Sequence, residues 1–477
     1  MRNQTRLPIT ALLTTTALLF SLSTSAEWNR FRGPNGSGTI ESSSLPTEFG
    51  PDKNMLWNVD VPKGSSSPIV VGDRIVLTAE DDHHLMVICV DAKNGDLLWN
   101  QKLVRARDGK IHVQTDSAVP TPVADDKNVY LFFQELGLVK YSLDGEHQWT
   151  LPLGPFNQFY GMAGSPVLSK NLVIIQCDQQ TGSFLMAIDK ESGKIAWQVD
   201  RGTKGAAWST PILFPTDETA EIVVVHGKGW LDAYTLSDGT SVWSRSGMGA
   251  GPITSPFLVG NTLFLSAPQW SSHDDENPFL QPLDGFLKQF DKDANKAVSF
   301  AEMKGTPFEA EFGWLDIDKD GSVSVAEYEE AYREMFTENY GISALDLNYS
   351  DAQVESSVRW QFQEMLPEIS TPLLYQGTVF FADKKGYVNS LNGNTGTLVK
   401  RERVKGTGAQ FFASPIGADG KVYLASLNGN VVVIDANEKW NVLATNKVGK
   451  KLRATPAIYN NTLIIRTVDT LYAFGKK

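Results

Sequence analysis

Cysteine is nearly absent from this chain: its 477 residues contain only Cys89 and Cys177. Each lies in a β-branched and aliphatic run of a separate segment, so two small buried thiols are expected rather than a disulfide framework. Histidine is scarce as well, and His83, His84, His112, His147, His226 and His273 show neither metal-site nor triad spacing. No catalytic residue is therefore assigned. No basic patch points to nucleic acid. Beyond the first two dozen residues, no stretch is long and apolar enough to span a bilayer.

Those first residues carry a processing signal. Arg2 and Arg6 precede an apolar stretch from Ile9 to Leu22, and Thr24-Ser25-Ala26 supplies a small-residue cleavage site. Residues 1–26 thus read as a signal peptide, with the mature chain starting at Glu27. A Glu rather than a Cys follows the cut, so no lipid anchor is expected. The expected location is the periplasm or the extracellular space. The chain is expected to be a monomer with an unidentified protein or envelope component as partner.

What the chain has in quantity is glycine and tryptophan, 40 and 12 residues, against 42% hydrophobic and 21% charged residues overall. That is the composition of a folded, turn-rich β protein. A Ser/Thr-Pro pair followed by apolar residues recurs eight times: Ser67-Pro68, Thr121-Pro122, Ser165-Pro166, Thr210-Pro211, Ser255-Pro256, Thr371-Pro372, Ser414-Pro415 and Thr455-Pro456. Successive pairs are 54, 44, 45, 45, 116, 43 and 41 residues apart. A period of about 41–45 residues is one four-stranded propeller blade. The chain is therefore expected to be all-β, an eight-bladed β-propeller, with an insertion in the fifth blade.

Within a unit, Gly stands four residues before Trp at Gly95/Trp99, Gly145/Trp149, Gly193/Trp197 and Gly239/Trp243. Gly suits a positive-φ turn between the third and fourth strands, and Trp offers a flat face to the next blade. The copies decay late in the chain. Lys400 stands where Trp is expected, and Trp440 reads as a docking Trp without its Gly. Trp208 and Trp230 have two readings, lining of a central channel and blade packing, of which blade packing is favoured. Ala344-Leu345-Asp346 reads as the third strand of blade five resuming, with Trp360 as its docking Trp. The last unit stops at its third strand, Leu471-Tyr472-Ala473-Phe474, and Met55-Leu56-Trp57-Asn58-Val59 is expected to close the ring. The expected boundaries are 27–271 for the N-terminal strap, closing strand and blades one to five (first part), 272–340 for the insertion, and 341–477 for the remainder.

The insertion holds the sharpest chemistry. Residues 272–340 carry seventeen acidic and six basic side chains, and so hold −11 of the chain's net −12. Within them, residues 316–327 match a twelve-residue EF-hand loop. Calcium is a hard cation that takes six to eight oxygens. Asp316, Asp318 and Asp320 offer carboxylates, Ser322 its carbonyl, Ser324 a water-mediated contact and Glu327 two oxygens, while Gly321 permits the sharp turn. A partner loop offers Asp291, Asp293, Asn295, the Ala297 carbonyl, Ser299 and Glu302. It carries Lys296 where Gly is usual, so weaker binding is expected there. Val298 and Val323, each at the eighth position, are expected to join the loops by a short β-bridge. One or two calcium ions are expected, in a role that orders the insertion.

Ala187-Ile188-Asp189 with Gly193-Lys194 and Trp197, and Val90-Asp91-Ala92 with Gly95 and Trp99, resemble the tryptophan-docking motif of quinoprotein (PQQ-type) propellers. The opening Trp28-Asn29-Arg30-Phe31-Arg32-Gly33-Pro34-Asn35-Gly36-Ser37-Gly38 resembles the leader of exported PQQ-like repeat proteins. The resemblance covers nearly all of Trp28 to Phe474 except the insertion. It implies the fold but divides on activity, since such propellers include PQQ-dependent alcohol dehydrogenases and a non-catalytic lipoprotein that helps assemble outer-membrane barrels. There is no adjacent Cys-Cys pair of the kind many alcohol-oxidising relatives carry near the cofactor. The reading favoured is a calcium-binding, non-catalytic scaffold without PQQ. The alternatives are a PQQ-dependent alcohol or sugar dehydrogenase and a carbohydrate- or envelope-binding module.

Overall fold

The computed structural model describes residues 28–476 apart from 43, 108–111, 113–114, 159, 203–204, 218, 250–251, 268–281, 307–308, 310–311, 336–339, 351–352 and 409. The signal peptide, its cleavage site, His273 and the first residues of the insertion lie outside the described residues.

Eight four-stranded antiparallel sheets form the blades of a propeller. Blade one runs Ile69–Val71, Arg74–Glu80, His84–Asp91 and Leu97–Val104. Its second and third strands are buried along nearly their whole length, whereas the fourth alternates between exposed and half-buried positions. That difference follows from radial packing: an inner strand has a neighbouring blade on both faces, so both of its faces must be apolar. The outermost strand keeps one side chain in two near water.

The Ser/Thr-Pro repeat has a structural cause. The backbone N–H of Ser67 donates to Thr121 Oγ1 at 3.1 Å, Thr121 N–H to Ser165 Oγ at 3.0 Å, and Ser165 N–H to Thr210 Oγ1 at 3.0 Å. Thr210 N–H donates to Ser255 Oγ at 2.9 Å, Ser255 N–H to Thr371 Oγ1 at 3.0 Å, and Thr371 N–H to Ser414 Oγ at 3.0 Å. Ser414 N–H then donates to Thr455 Oγ1, and Thr455 N–H returns to Ser67 Oγ, both at 3.0 Å. The eight bonds close a circle around the propeller axis, one per blade.

At the opposite end of the blades the ring is held by indoles. A Cβ added to Gly145, Gly193, Gly239 or Gly396 would lie 2.8, 2.7, 2.7 or 2.5 Å from Trp99, Trp149, Trp197 or Trp360 of the preceding blade. Each of those glycines also has positive φ, between 68° and 87°. The indole Nε1 of Trp99 donates to Leu143 O at 2.9 Å, and that of Trp360 to Gly393 O at 2.9 Å. No residue with a side chain fits under the ring.

The closing strand is as expected. Met55–Asp60 pairs antiparallel with the last strand, Trp57 opposite Ala473 and Val59 opposite Leu471. It also brings its own docking indole: Trp57 sits on Gly95, 2.6 Å from the position of a Cβ, and donates to Ala92 O.

Three junctions depart from the pattern, and at the one between blades seven and eight Ala444 stands at the indole's position, opposite Val433. Between blades six and seven the partners are exchanged. Trp440 is not on the fourth strand of blade seven, Val442–Lys447, but in the turn before it, fully buried. Lys400 of blade six occupies the docking position, its Nζ 4.1 Å from the Trp440 ring centre and 2.8 Å from Trp440 O. The reading of Trp440 as a docking indole is thus corrected: the turn supplies the aromatic face and the strand supplies the cation. Blade five resumes as Gly341–Ser350, paired with Gln353–Phe362, each ten residues long against six for the matching strands of blade four. The extra length lays Leu347 and Val354 against Trp243 of blade four, in place of a Gly turn.

The leader crosses the ring at the end where the first strands finish. Trp28 O accepts from Val70 N, Asn29 O from Ala124 N, and Gly38 O from Gly417 N. Arg30 pairs with Asp217 at 2.5 Å, and the buried Arg32 donates to Thr371 O at 3.2 Å and Pro372 O at 2.9 Å. One short segment therefore touches blades one, two, four, six and seven.

Thr210→Ala leaves the buried Ser165 N–H without an acceptor, and its expected cost is about 1–3 kcal/mol. Thr210→Ser keeps the oxygen and should recover most of that. The unfolding midpoints of the two variants in urea check this.

Candidate metal centre

The chain leaves blade five after Thr262–Ala267 and returns at Gly341, and these strands pair directly, Ala267 opposite Gly341. In an antiparallel blade, the connection between the second and third strands lies at the end where the first strand begins. The insertion therefore rises on the face that carries the Ser/Thr circle, opposite the leader.

Its helices α1 (Leu283–Phe290), α2 (Phe300–Met303), α3 (Phe312–Leu315) and α4 (Val325–Met335) enclose a small core of their own. Phe286 of α1 stacks on Tyr328 of α4 with ring centres 3.7 Å apart. Ala297–Ser299 and Ser322–Ser324 pair antiparallel with Val298 opposite Val323, the bridge the sequence leads one to expect. Both valines are buried in the core.

The two loops share one backbone shape. The fourth and sixth positions of each have positive φ: Ala294 at 59° and Lys296 at 65° in the first, Lys319 at 60° and Gly321 at 92° in the second. Only Gly321 takes that conformation without Cβ strain. The closing glutamates also match. Glu302 Oε1 accepts from Lys292 N at 2.8 Å and Oε2 from Ser299 N at 2.7 Å. Glu327 Oε1 accepts from Ile317 N at 2.8 Å and Oε2 from Ser324 N at 2.7 Å.

The structure gathers most of the expected carboxylates. Oxygens of Asp291, Asp293 and Glu302 lie within 4.8 Å of one another, as do those of Asp316, Asp318 and Asp320. Ala297 and Ser322 lie in the bridge strands, and the hydroxyls of Ser299 and Ser324 donate to Glu302 and Glu327 at 2.8 and 2.7 Å. Asn295 Oδ1 accepts from Ala297 N at 2.8 Å. The second loop has one further property. Asp316 is 7% exposed and its Oδ1 is buried without a hydrogen-bond partner. Burial, with Glu327, Asp320 and Asp318 nearby, pushes its carboxyl above the usual range.

Below the insertion lies a central cavity of about 880 Å³. All eight Ser/Thr residues of the circle line it, together with Phe31 of the leader, Tyr160, Trp208, Tyr340, Phe412, Arg453 and the segment 363–369. Trp208 is thus a wall of the cavity and not only blade packing; its ring lies 5.7 Å from that of Tyr160. Trp230 is 37% exposed and does not line it. Sequence reading also missed Phe412 and Arg453. The signal available was the register: Trp208, Phe412 and Arg453 each stand two residues before the Ser or Thr of a Ser/Thr-Pro pair, and that position lines the cavity in every blade. Cys89 and Cys177 are free and buried in the blades, away from the cavity, and burial pushes the Cys89 thiol up to about 12. His226 is fully buried, pushed down to about 4 by desolvation, with Nε2 3.0 Å from Met248 O. Among the described residues no histidine joins a metal-ligating group.

A carboxyl raised in the fold is least costly when protonated. In chelator, the insertion should therefore lose stability as pH rises from about 4 through the elevated Asp316 value. Asp316→Asn should flatten that dependence and raise the melting temperature of the metal-free protein at pH 7. Calorimetric scans across pH check both.

A model described as outer membrane protein assembly factor BamB matches residues 50–180, 157–269 and 344–474. The gap between the last two spans falls on the insertion. The curated BamB of Burkholderia pseudomallei is 25% identical over 227 residues, 46% of this chain and 54% of that protein. BamB of Shewanella oneidensis is 21% identical over 270 residues, 53% of this chain and 66% of that protein. The chain thus spans about half to two thirds of the length of these relatives. Among solved structures, BamB from Moraxella catarrhalis superposes with a TM-score of 0.55 at 12% identity, over 89% of this chain and 97% of that one. A europium-containing methanol dehydrogenase gives 0.60 at 10% identity, over 95% of this chain and 99% of that one. At such identity both show the fold alone. The matched segments amount to well over half of the sequence, and the chain belongs to the PQQ-like β-propeller family described by the BamB model.

Proposed function

We propose that this protein is an exported, non-catalytic propeller of the cell envelope that presents a calcium-ordered EF-hand pair to a protein partner. The observation that carries the calcium reading is the buried, unpartnered Oδ1 of Asp316 beside two further carboxylates. A buried carboxylate oxygen without a donor is costly, and a cation is what relieves it. The matched loop shapes and the Val298–Val323 bridge support a pair of sites, the second the tighter. In an exported protein the affinities fall at about 10⁻⁴–10⁻³ M, so calcium orders the module and does not switch it.

The scaffold reading draws on the printed function of the curated relatives, an outer membrane protein assembly factor. It also draws on the cavity chemistry. A quinone-bound calcium needs a convergent carboxylate set, whereas the lining offers Glu364, Glu368 and Asp383, and Asp383 is held by Arg401 at 2.9 Å. The groups of three candidate ligands among the described residues lie in the insertion loops. These residues do not fit PQQ with its metal, and no oxidation step is derived.

Calcium titration of the full chain by calorimetry tests the metal reading. Glu327→Gln should weaken the second site at least tenfold. Lys296→Gly should tighten the first by a factor of about 5, as expected from relief of ~1 kcal/mol of left-handed strain. No calcium heat in the wild type, or a Glu327→Gln titration that superposes on it, sinks the reading. Recovery of the same envelope protein with calcium, and its loss in chelator, tests the partner. Dye-linked alcohol oxidation after reconstitution with PQQ and calcium would overturn the non-catalytic assignment.

A further inference from the structure

The floor of the central cavity is rich in hydrogen-bond donors. A hydroxyl has one proton and two lone pairs. Each of the eight oxygens in the Ser/Thr circle spends a lone pair on the N–H of the preceding blade. Among the described residues, no hydrogen bond has one of these hydroxyls as its donor. Eight O–H groups that share one cavity are thus available to whatever enters it.

A cation stands beside them. Arg453, two residues before Thr455, lines the cavity with its guanidinium 6.0 Å from the Phe412 ring centre. Its Nε is buried without a hydrogen-bond partner, and among the described residues it forms no ion pair. Arg201 is paired with Asp178 and Asp232 and Arg401 with Asp383, whereas Arg32 donates to four carbonyls and Arg466, whose Nε is also unpartnered, donates to Ser66. A guanidinium keeps its charge in any protein setting, so among the described residues Arg453 has no paired counter-charge. The lining glutamates, Glu364 and Glu368, are exposed to solvent, and the lining aspartate, Asp383, is paired with Arg401. The walls between are aromatic: Phe31, Tyr160, Trp208 and Phe412. A volume of about 880 Å³ is that of a small-molecule site.

We infer that the floor of this cavity binds a small organic acid, its carboxylate among the ring hydroxyls and Arg453 and its apolar body against Phe31, Phe412 and Trp208. The inference is independent of the calcium reading. A carboxylate accepts several hydrogen bonds at once and supplies the charge that Arg453 lacks. A neutral ligand of the same shape does not.

The test uses the full chain and three probes: benzoate, its neutral isostere benzamide, and inorganic phosphate. Ligand-observed NMR should show benzoate binding at least tenfold more tightly than benzamide, and more tightly than phosphate. Arg453→Gln should cut benzoate affinity about tenfold with an unchanged melting temperature, and Arg453→Lys should recover part of it. The probe comparison needs no variant, so a folding defect in Arg453→Gln leaves the test intact. Benzamide equal to benzoate overturns the carboxylate seat. Phosphate equal to benzoate overturns the apolar walls, and unchanged affinity in a folded Arg453→Gln overturns the role of the guanidinium.

Discussion

The propeller depends on a circle of eight hydrogen bonds, each from the backbone N–H of a Ser or Thr to the hydroxyl of the next blade. Proline follows every one of these residues, so the N–H of the Ser or Thr is the last donor before the first strand begins. It also restricts the preceding residue to an extended conformation. Each blade is thereby fixed to its neighbour at the inner edge, where eight chains converge and water is scarce. The indoles fix the other end. Between them, the second and third strands of every blade are held face to face with two neighbours, which no blade could achieve alone.

Much of this was legible in the sequence. A period of about 41–45 residues marks the blade because each blade repeats the same local chemistry of a hydroxyl, a proline, two apolar strands, a glycine turn and an indole. The expectation that Met55–Val59 completes the eighth sheet rested on counting strands, and the pairing of Trp57 with Ala473 bears it out. What escaped was spatial. The role of Trp57 as the eighth blade's docking indole was missed because no local Gly precedes it. Trp440 was misread because its exchange with Lys400 of aromatic and cation is visible only across two blades. The cavity takes Trp208, Phe412 and Arg453 from one register of the repeat, two residues before Thr210, Ser414 and Thr455, and Phe31 from the leader; the residue type varies from blade to blade at that register, so no repeated side chain marks it.

The candidate metal ligands were legible for the opposite reason. Within each loop they lie inside twelve consecutive residues, so spacing alone carries the geometry. The insertion that holds both loops carries −11 of the chain's net −12 and springs from a propeller whose remaining sequence is close to neutral. A direct contact ties the two: Lys319, inside the second loop, donates to Asn157 Oδ1 at 2.8 Å, in the segment leading to blade three. The insertion therefore touches the segment before blade three as well as springing from blade five.

The eighth sheet is built from both ends of the chain, and this governs when the molecule can first be complete. Met55 meets Phe474 across a sequence separation that spans nearly the whole polypeptide, and contacts of that kind form late and slowly. Until the final strand arrives, the first blade has no neighbour on one side and the strand at Met55–Asp60 has no partner. A chain threaded through a membrane from its N-terminus would carry that open seam until its last residues had crossed. The seam exposes two unpaired strand edges and apolar faces to the surrounding solution. The time between the first strand's emergence and the last strand's arrival is therefore the interval in which this protein is most exposed to aggregation and to proteases.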